Sequence, residues 1–139
     1  MDKSFKLRVA WVIVWLAQLP TPTFAHPAPY SYLDLRLSQH TIEATLTAHT
    51  LDFAHELNVT PADALLETAL TVSKQAAMLN LLRSRLSMLV DSRVPTLELL
   101  RVEPLPERQA LALHLRWTLS TAPGLLKIQC ALFPYDPQH

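Results

Sequence analysis

The side chains best suited by type and spacing to do chemistry are His26, His49, Asp52 and His55, with Glu56 following the last. Imidazole and amine nitrogens suit Cu(II) or Ni(II). His26 offers both if the chain is cut after Ala25, because the new N-terminus then carries an α-amine beside its own ring. Pro27 has no amide proton, so square-planar coordination through the next backbone nitrogen is closed, while amine and imidazole stay free to chelate. His49, Asp52 and His55 would complete such a site if folding brings them together. The pattern H-x2-D-x2-H-E is less specific than a paired C-x2-C. Its plainer reading makes His49 a solvated strand residue and puts His55 and Glu56 in the turn before a helix, capping backbone groups.

Other candidates carry less. Cys130 alternates with Leu126, Ile128 and Leu132, which predicts a buried thiol rather than a nucleophile. His114 falls on the outward face of a strand between Ala112 and Arg116, and the sequence identifies no acid–base partner for it. The carboxylates Asp34, Glu43, Asp52 and Glu56 match a solvated strand face as well as they match an acid–base pair. No G-x-S-x-G, Walker loop, dinucleotide fingerprint or H-E-x-x-H occurs, and the sequence points away from an enzyme. Trp117, Tyr30 and Tyr32 read as core or sheet-edge residues rather than as a binding platform.

The chain opens on Lys3, Lys6 and Arg8, runs through an apolar stretch at 9–17 and meets Pro20 and Pro22 before Thr23-Phe24-Ala25. A basic start, an apolar middle and a small-x-small ending predict a secretory signal over residues 1–25. The apolar stretch falls short of the roughly 20 residues a spanning helix needs. Residues 26–139 are then expected to form a periplasmic or otherwise extracytoplasmic domain. The whole chain balances 12 basic against 12 acidic residues. The leader removes more bases than acids, so the remainder is mildly acidic and has no basic block, which argues against nucleic acid as a partner. One cysteine cannot form an internal disulfide, so such a domain must depend on its core or its neighbours. A single glycine, Gly124, leaves most turns to other residues.

Two alternating runs follow the leader. In 31–38, Ser31, Leu33, Leu35 and Leu37 share one face; in 42–49, Ile42, Ala44, Leu46 and Ala48 do so, with Gln39-His40 between them as a tight turn. The period changes after Asp52. Thr60 reads as an N-cap with Pro61 at the first helical position, and a helical insertion is expected over about 61–83, broken near Thr71 to Ser73 where β-branched and hydroxyl residues cluster. Arg83 and Arg85 suit its C-terminal end. Strands return at 86–90, 96–102 and 109–119, with a turn at Asp91-Ser92. Ala122-Pro123-Gly124 has the order of a type II turn before a last strand whose inward face is Leu126, Ile128, Cys130 and Leu132. The expectation is a mainly β, antiparallel β-sandwich-like domain with one helical insertion.

Three segments together resemble a known family: His26-Pro27-Ala28-Pro29-Tyr30-Ser31-Tyr32-Leu33-Asp34-Leu35-Arg36-Leu37, then Leu51-Asp52-Phe53-Ala54-His55-Glu56-Leu57, then Ala131-Leu132-Phe133-Pro134-Tyr135-Asp136-Pro137 with His139. They are similar to the exported N-terminal region of HupE/UreJ-like membrane proteins, in which a β-rich region precedes membrane helices related to nickel/cobalt permeases. The metal-handling histidine motifs of those helices have no counterpart here. The resemblance implies an extracytoplasmic, non-catalytic interaction domain, incomplete at its C-terminus and serving a membrane-embedded permease-like component. The alternative is a small periplasmic protein that binds Cu or Ni through His26.

Overall fold

A computed structural model describes residues 30–135. The expected leader, His26 and His139 lie outside them. Strand β1 (Tyr32–Leu37) pairs antiparallel with β2 (Thr41–His49) across the tight turn at Gln39-His40. Helix α1 (Thr50–Leu57), a 3-10 segment (Ala62–Leu66) and helix α2 (Thr68–Arg85) follow, then β3 (Leu86–Val90), β4 (Thr96–Leu105), a 3-10 turn (Pro106–Arg108), β5 (Ala110–Thr118) and β6 (Leu126–Cys130). Four strands form one antiparallel sheet in the order β1-β2-β5-β4, and β3 pairs with β6 in a two-stranded sheet. The domain is therefore mixed, two antiparallel sheets with two helices, rather than mainly β. No helix among the described residues is long and apolar enough to cross a membrane.

Alternation explains the main sheet. Ile42, Ala44, Leu46 and Ala48 of β2 face Trp117, Leu115, Leu113 and Leu111 of β5, and all eight are buried. Helix α1 covers this surface with Phe53 and Ala54, the 3-10 segment with Leu65, α2 with Met78 and Leu82, and the small sheet with Leu86, Met88 and Val90, all in one core. Phe133 closes the core edge-on to Phe53, with ring centroids 5.4 Å apart. Burying each such large side chain contributes roughly 1.5–3 kcal/mol.

The helical region departs from the pattern expected at 61–83. A helix begins at Thr50, directly after β2, so His55 and Glu56 are helical and not in a turn. Thr60 is not the cap of the next element; Pro61 holds that position, without a side-chain hydrogen bond. The break lies at Glu67, which is extended (φ −76°, ψ 118°), and not at Thr71 to Ser73. Thr71 is buried and donates its hydroxyl to the carbonyls of Leu65 and Glu67, joining the 3-10 segment to α2. The cluster of hydroxyls that suggested a break is thus part of the junction just ahead of it. Of the two arginines, Arg83 reaches Leu97 O, and Arg85 bonds both Glu56 Oε1 and Leu132 O at 2.7 Å. Arg85 thereby ties α2 to α1 and to the C-terminal segment.

The turns manage almost without glycine. Asn58, Asp91, Ser92 and Gln109 all take positive φ. Asp91 and Ser92 form a tight two-residue turn closed by reciprocal Val90–Arg93 hydrogen bonds. Gly124 does not have positive φ, so the expected type II turn at Ala122-Pro123-Gly124 is absent. The glycine supplies space instead. A Cβ there would lie 2.8 Å from Asp91 Oδ1, and the Asp91 carboxylate accepts hydrogen bonds from Gly124 N (3.1 Å) and Leu125 N (2.8 Å). Those two N–H groups, Leu125's first, hold the Asp91 carboxyl below its ordinary pKa of 3.8. Cys130 is exposed, not buried. It keeps the expected phase, but β6 is one strand of a two-stranded ribbon, and sharing a face there does not bring cover.

Gly124→Ala is expected to lower the melting temperature measurably, and the loss should be much smaller in an Asp91→Ala background, because the clash is with that carboxylate. A calorimetric double-mutant cycle checks this; equal losses in both backgrounds would place the strain elsewhere.

Candidate functional site

The side chains expected to hold a metal serve separate structural roles where they are described. His49 ends β2 and caps α1: its Nδ1 accepts from Leu51 N at 3.2 Å. Asp52 is buried, and Oδ1 accepts from the Tyr135 hydroxyl at 3.0 Å. His55 packs against the Tyr135 ring, centroids 3.9 Å apart. Asp52, His55 and Tyr135 share an open depression at the end of α1, which His49 does not line. Glu56 is drawn off to Arg85. Among the described residues no three His, Cys, Asp or Glu side chains are grouped to hold a metal ion. His26 lies outside them.

A different constellation lies on the outer face of the four-stranded sheet. There the register sets Asp34 beside Thr45, Thr45 beside His114, and His114 beside Arg101. The next row toward the Gln39-His40 turn is Arg36, Glu43, Arg116 and Glu98, which alternates in charge across all four strands. Side chains of each row are held in contacts of their own, the first row through Glu103 of the adjoining row. His114 Nε2 lies 3.1 Å from Glu103 Oε2, and Arg101 Nη1 lies 2.8 Å from the same oxygen. A carboxylate only accepts, so Nε2 carries the proton that bonds it. Thr45 Oγ1 is 3.5 Å from the other ring nitrogen. Arg116 Nη2 reaches Glu43 Oε1 at 3.0 Å, while its Nε is buried without a hydrogen-bond partner among the described residues.

One irregularity makes this cluster possible. Leu97 and Leu99 face the core side, opposite Trp117 and Leu115, and strict alternation would turn Arg101 and Glu103 the same way. The register shifts between Leu99 and Arg101. Leu100 is the extra residue, and beyond it Arg101 and Glu103 face outward while Val102 returns to the core side. A β-bulge therefore re-aims two charged side chains at His114. Period two ends this strand at Val102 and offers His114, between Ala112 and Arg116, no acid–base partner; Glu103 and Arg101 escape it because a bulge has no reliable signature in a run such as Leu97-Glu-Leu-Leu-Arg101.

At one end the face is roofed. Arg108, in the turn between β4 and β5, donates to the Tyr32 hydroxyl of β1 at 3.0 Å, reaching across β2. Beneath that bridge Thr47 and Ala112 are buried although they point away from the core. Tyr32 also stacks on Tyr30, centroids 6.0 Å apart. The tyrosines are exposed, edge residues as expected, and Trp117 is core.

Thr45, His114 and Glu103 have the order of a nucleophile, base and orienting acid, but their setting does not support acyl transfer. Thr45 and His114 lie on β2 and β5, each paired on both sides, so the surrounding backbone N–H groups are engaged in sheet ladders and are not free to hold an oxyanion. What the arrangement does is fix charge. Held by His114 first and by Arg101 next, the Glu103 carboxyl sits below its ordinary pKa of 4.5. Because the folded value is depressed, whatever the contact contributes to stability is present at higher pH and disappears as pH falls through that lowered value.

Two measurements follow. In carboxyl-carbon NMR titrations, Glu103 should titrate below 4.5, with His114→Ala and Arg101→Ala each moving it up; no movement in either variant would break the assigned network. His49→Ala should cost about 1 kcal/mol in chemical denaturation and His49→Asn much less, since an asparagine oxygen can also cap α1; equal losses with both would remove the capping role.

Comparison with protein-family models, with curated proteins and with solved structures finds no match to this chain.

Proposed function

We propose that residues 26–139 form an extracytoplasmic, non-catalytic interaction domain that works beside a membrane-embedded, permease-like component, as the resemblance to HupE/UreJ-like proteins implies. In the same reading the two sheets, with the helices between their connections, make a sandwich-like domain whose second layer is partly helical. The observation that carries the reading is the contrast between the two faces of the main sheet. The inner face is largely buried under the two helices, the 3-10 segment at 62–66 and the small sheet, while the outer face presents interlocked charges of both signs held at fixed positions. Preorganised polar groups of that kind favour specificity of recognition over chemistry.

Expression of the full chain, followed by fractionation and mass spectrometry, should yield a species beginning at His26 outside the cytoplasm. A soluble cytoplasmic product that retains Met1 would overturn the export half of the proposal. Co-expression with a HupE/UreJ-like membrane protein should give a complex recoverable in detergent, weakened several-fold by Arg101→Glu, which reverses a charge on the outer face. Absence of any complex, or indifference to that substitution, would overturn the interaction half.

A further inference from the structure

The main sheet ends on two edges of unlike character. Ser38 N donates to Thr41 O at 2.9 Å, so in the β1–β2 ladder the residues that exchange backbone bonds are Ser38–Thr41 and, two by two, Arg36–Glu43, Asp34–Thr45 and Tyr32–Thr47. Thr50 N donating to Gln109 O and Leu119 N donating to His40 O give β2 the same parity from its other side. The backbone groups of Leu33, Leu35 and Leu37 therefore point away from the sheet.

On β4 the corresponding outward groups are obstructed. Leu97 O is taken by Arg83, the bulge interrupts the run at Leu100, and Pro104 has no N–H to offer. β1 has no proline, no bulge and an unbroken register from Tyr32 to Leu37. Natural sheets blunt their open edges by such devices; among the described residues one edge has them and the other does not.

We propose that β1 pairs antiparallel with β1 of a second copy of this chain, about a twofold axis through Leu35, so that two four-stranded sheets become one. Parity requires outward-pointing residues to meet each other, which leaves three registers near the middle of the strand. Centring on Asp34 sets Asp34 against its own copy, and centring on Arg36 sets Arg36 against its own copy. Centring on Leu35 sets Asp34 of each chain against Arg36 of the other, twice by symmetry. In that register Asp34–Arg36 is a non-hydrogen-bonded pair, the position where facing side chains come closest. Among the described residues neither side chain has an ion-pair partner in its own chain; Glu43, opposite Arg36, is held by Arg116. On the core side, Leu37, 54% exposed in the single chain, would lie beside Leu33 of the second copy. The same two charges that specify the pairing discourage the out-of-register alternatives.

Sedimentation of the full chain across a concentration series tests this, with Asp34→Arg, Arg36→Asp, the double exchange and an equimolar mixture of the two single variants; circular dichroism confirms that each variant folds. The chain should dimerise, each single reversal should raise the dissociation constant about ten- to a hundredfold, and the double exchange should restore it. The mixed singles should associate with each other better than either does alone, because the mixture again pairs opposite charges. A chain monomeric at about 1 mM, a dimer indifferent to the single reversals, or mixed singles that fail to associate would each overturn the proposal.

Discussion

The pairing of β2 with β5 is the constraint on which the rest of this molecule depends. Both strands are central, so each strand is paired along both edges, its residues bonding alternately to one neighbour and the other, and each residue's facing is fixed by its place in the ladder. Slipping that ladder by one residue would turn one strand over against the other, exposing Ile42 and Leu46 with Glu43 brought into the core, or exposing Leu113 and Trp117 with Arg116 brought in. The cost of that exchange is large enough that the register is effectively unique. Everything packed on the inner face inherits its position from these two strands.

The outer face inherits its order from the same ladder, and here the domain shows a device that hydrophobic patterning does not supply. With regular alternation β4 would have set Arg101 and Glu103 toward the core. One extra residue, Leu100, reverses the parity halfway along the strand. The first half of β4 thus follows the Leu97–Leu99 phase and the second half the Val102 phase. A local defect in pairing is what converts a plain edge strand into one wall of an organised charged surface.

Much of the sheet was legible because alternation is a strong signal. The strands at 31–38, 42–49 and 109–119 read correctly from period two, and Trp117 read correctly as core. The helical region was less legible for identifiable reasons. Thr50 to Leu57 follows β2 without a turn, and its cap is a histidine rather than the usual serine, threonine or aspartate, so nothing announced the start. Gly124 suggested a turn conformation, yet its role is to leave room for a carboxylate more than thirty positions away, which no local window contains. Cys130 kept the phase of a buried face in a sheet too narrow to cover it. The Glu103–His114 contact joins strands through a bulge, and the metal reading of His49, Asp52 and His55 treated as one set three side chains that the helix assigns to capping, a tyrosine hydroxyl and an aromatic contact.

Both helices adjoin strands with no residue to spare: His49 closes β2 where Thr50 opens α1, and Arg85 closes α2 where Leu86 opens β3. Such joints have no slack. Neither helix can swing or slide without pulling a strand out of its ladder, so the helical layer offers no hinge of the sort that lids and clamshell receptors use. On the proposed reading as an interaction domain, a partner would meet a preset contour, and association would proceed by docking of finished shapes rather than by closure around a guest.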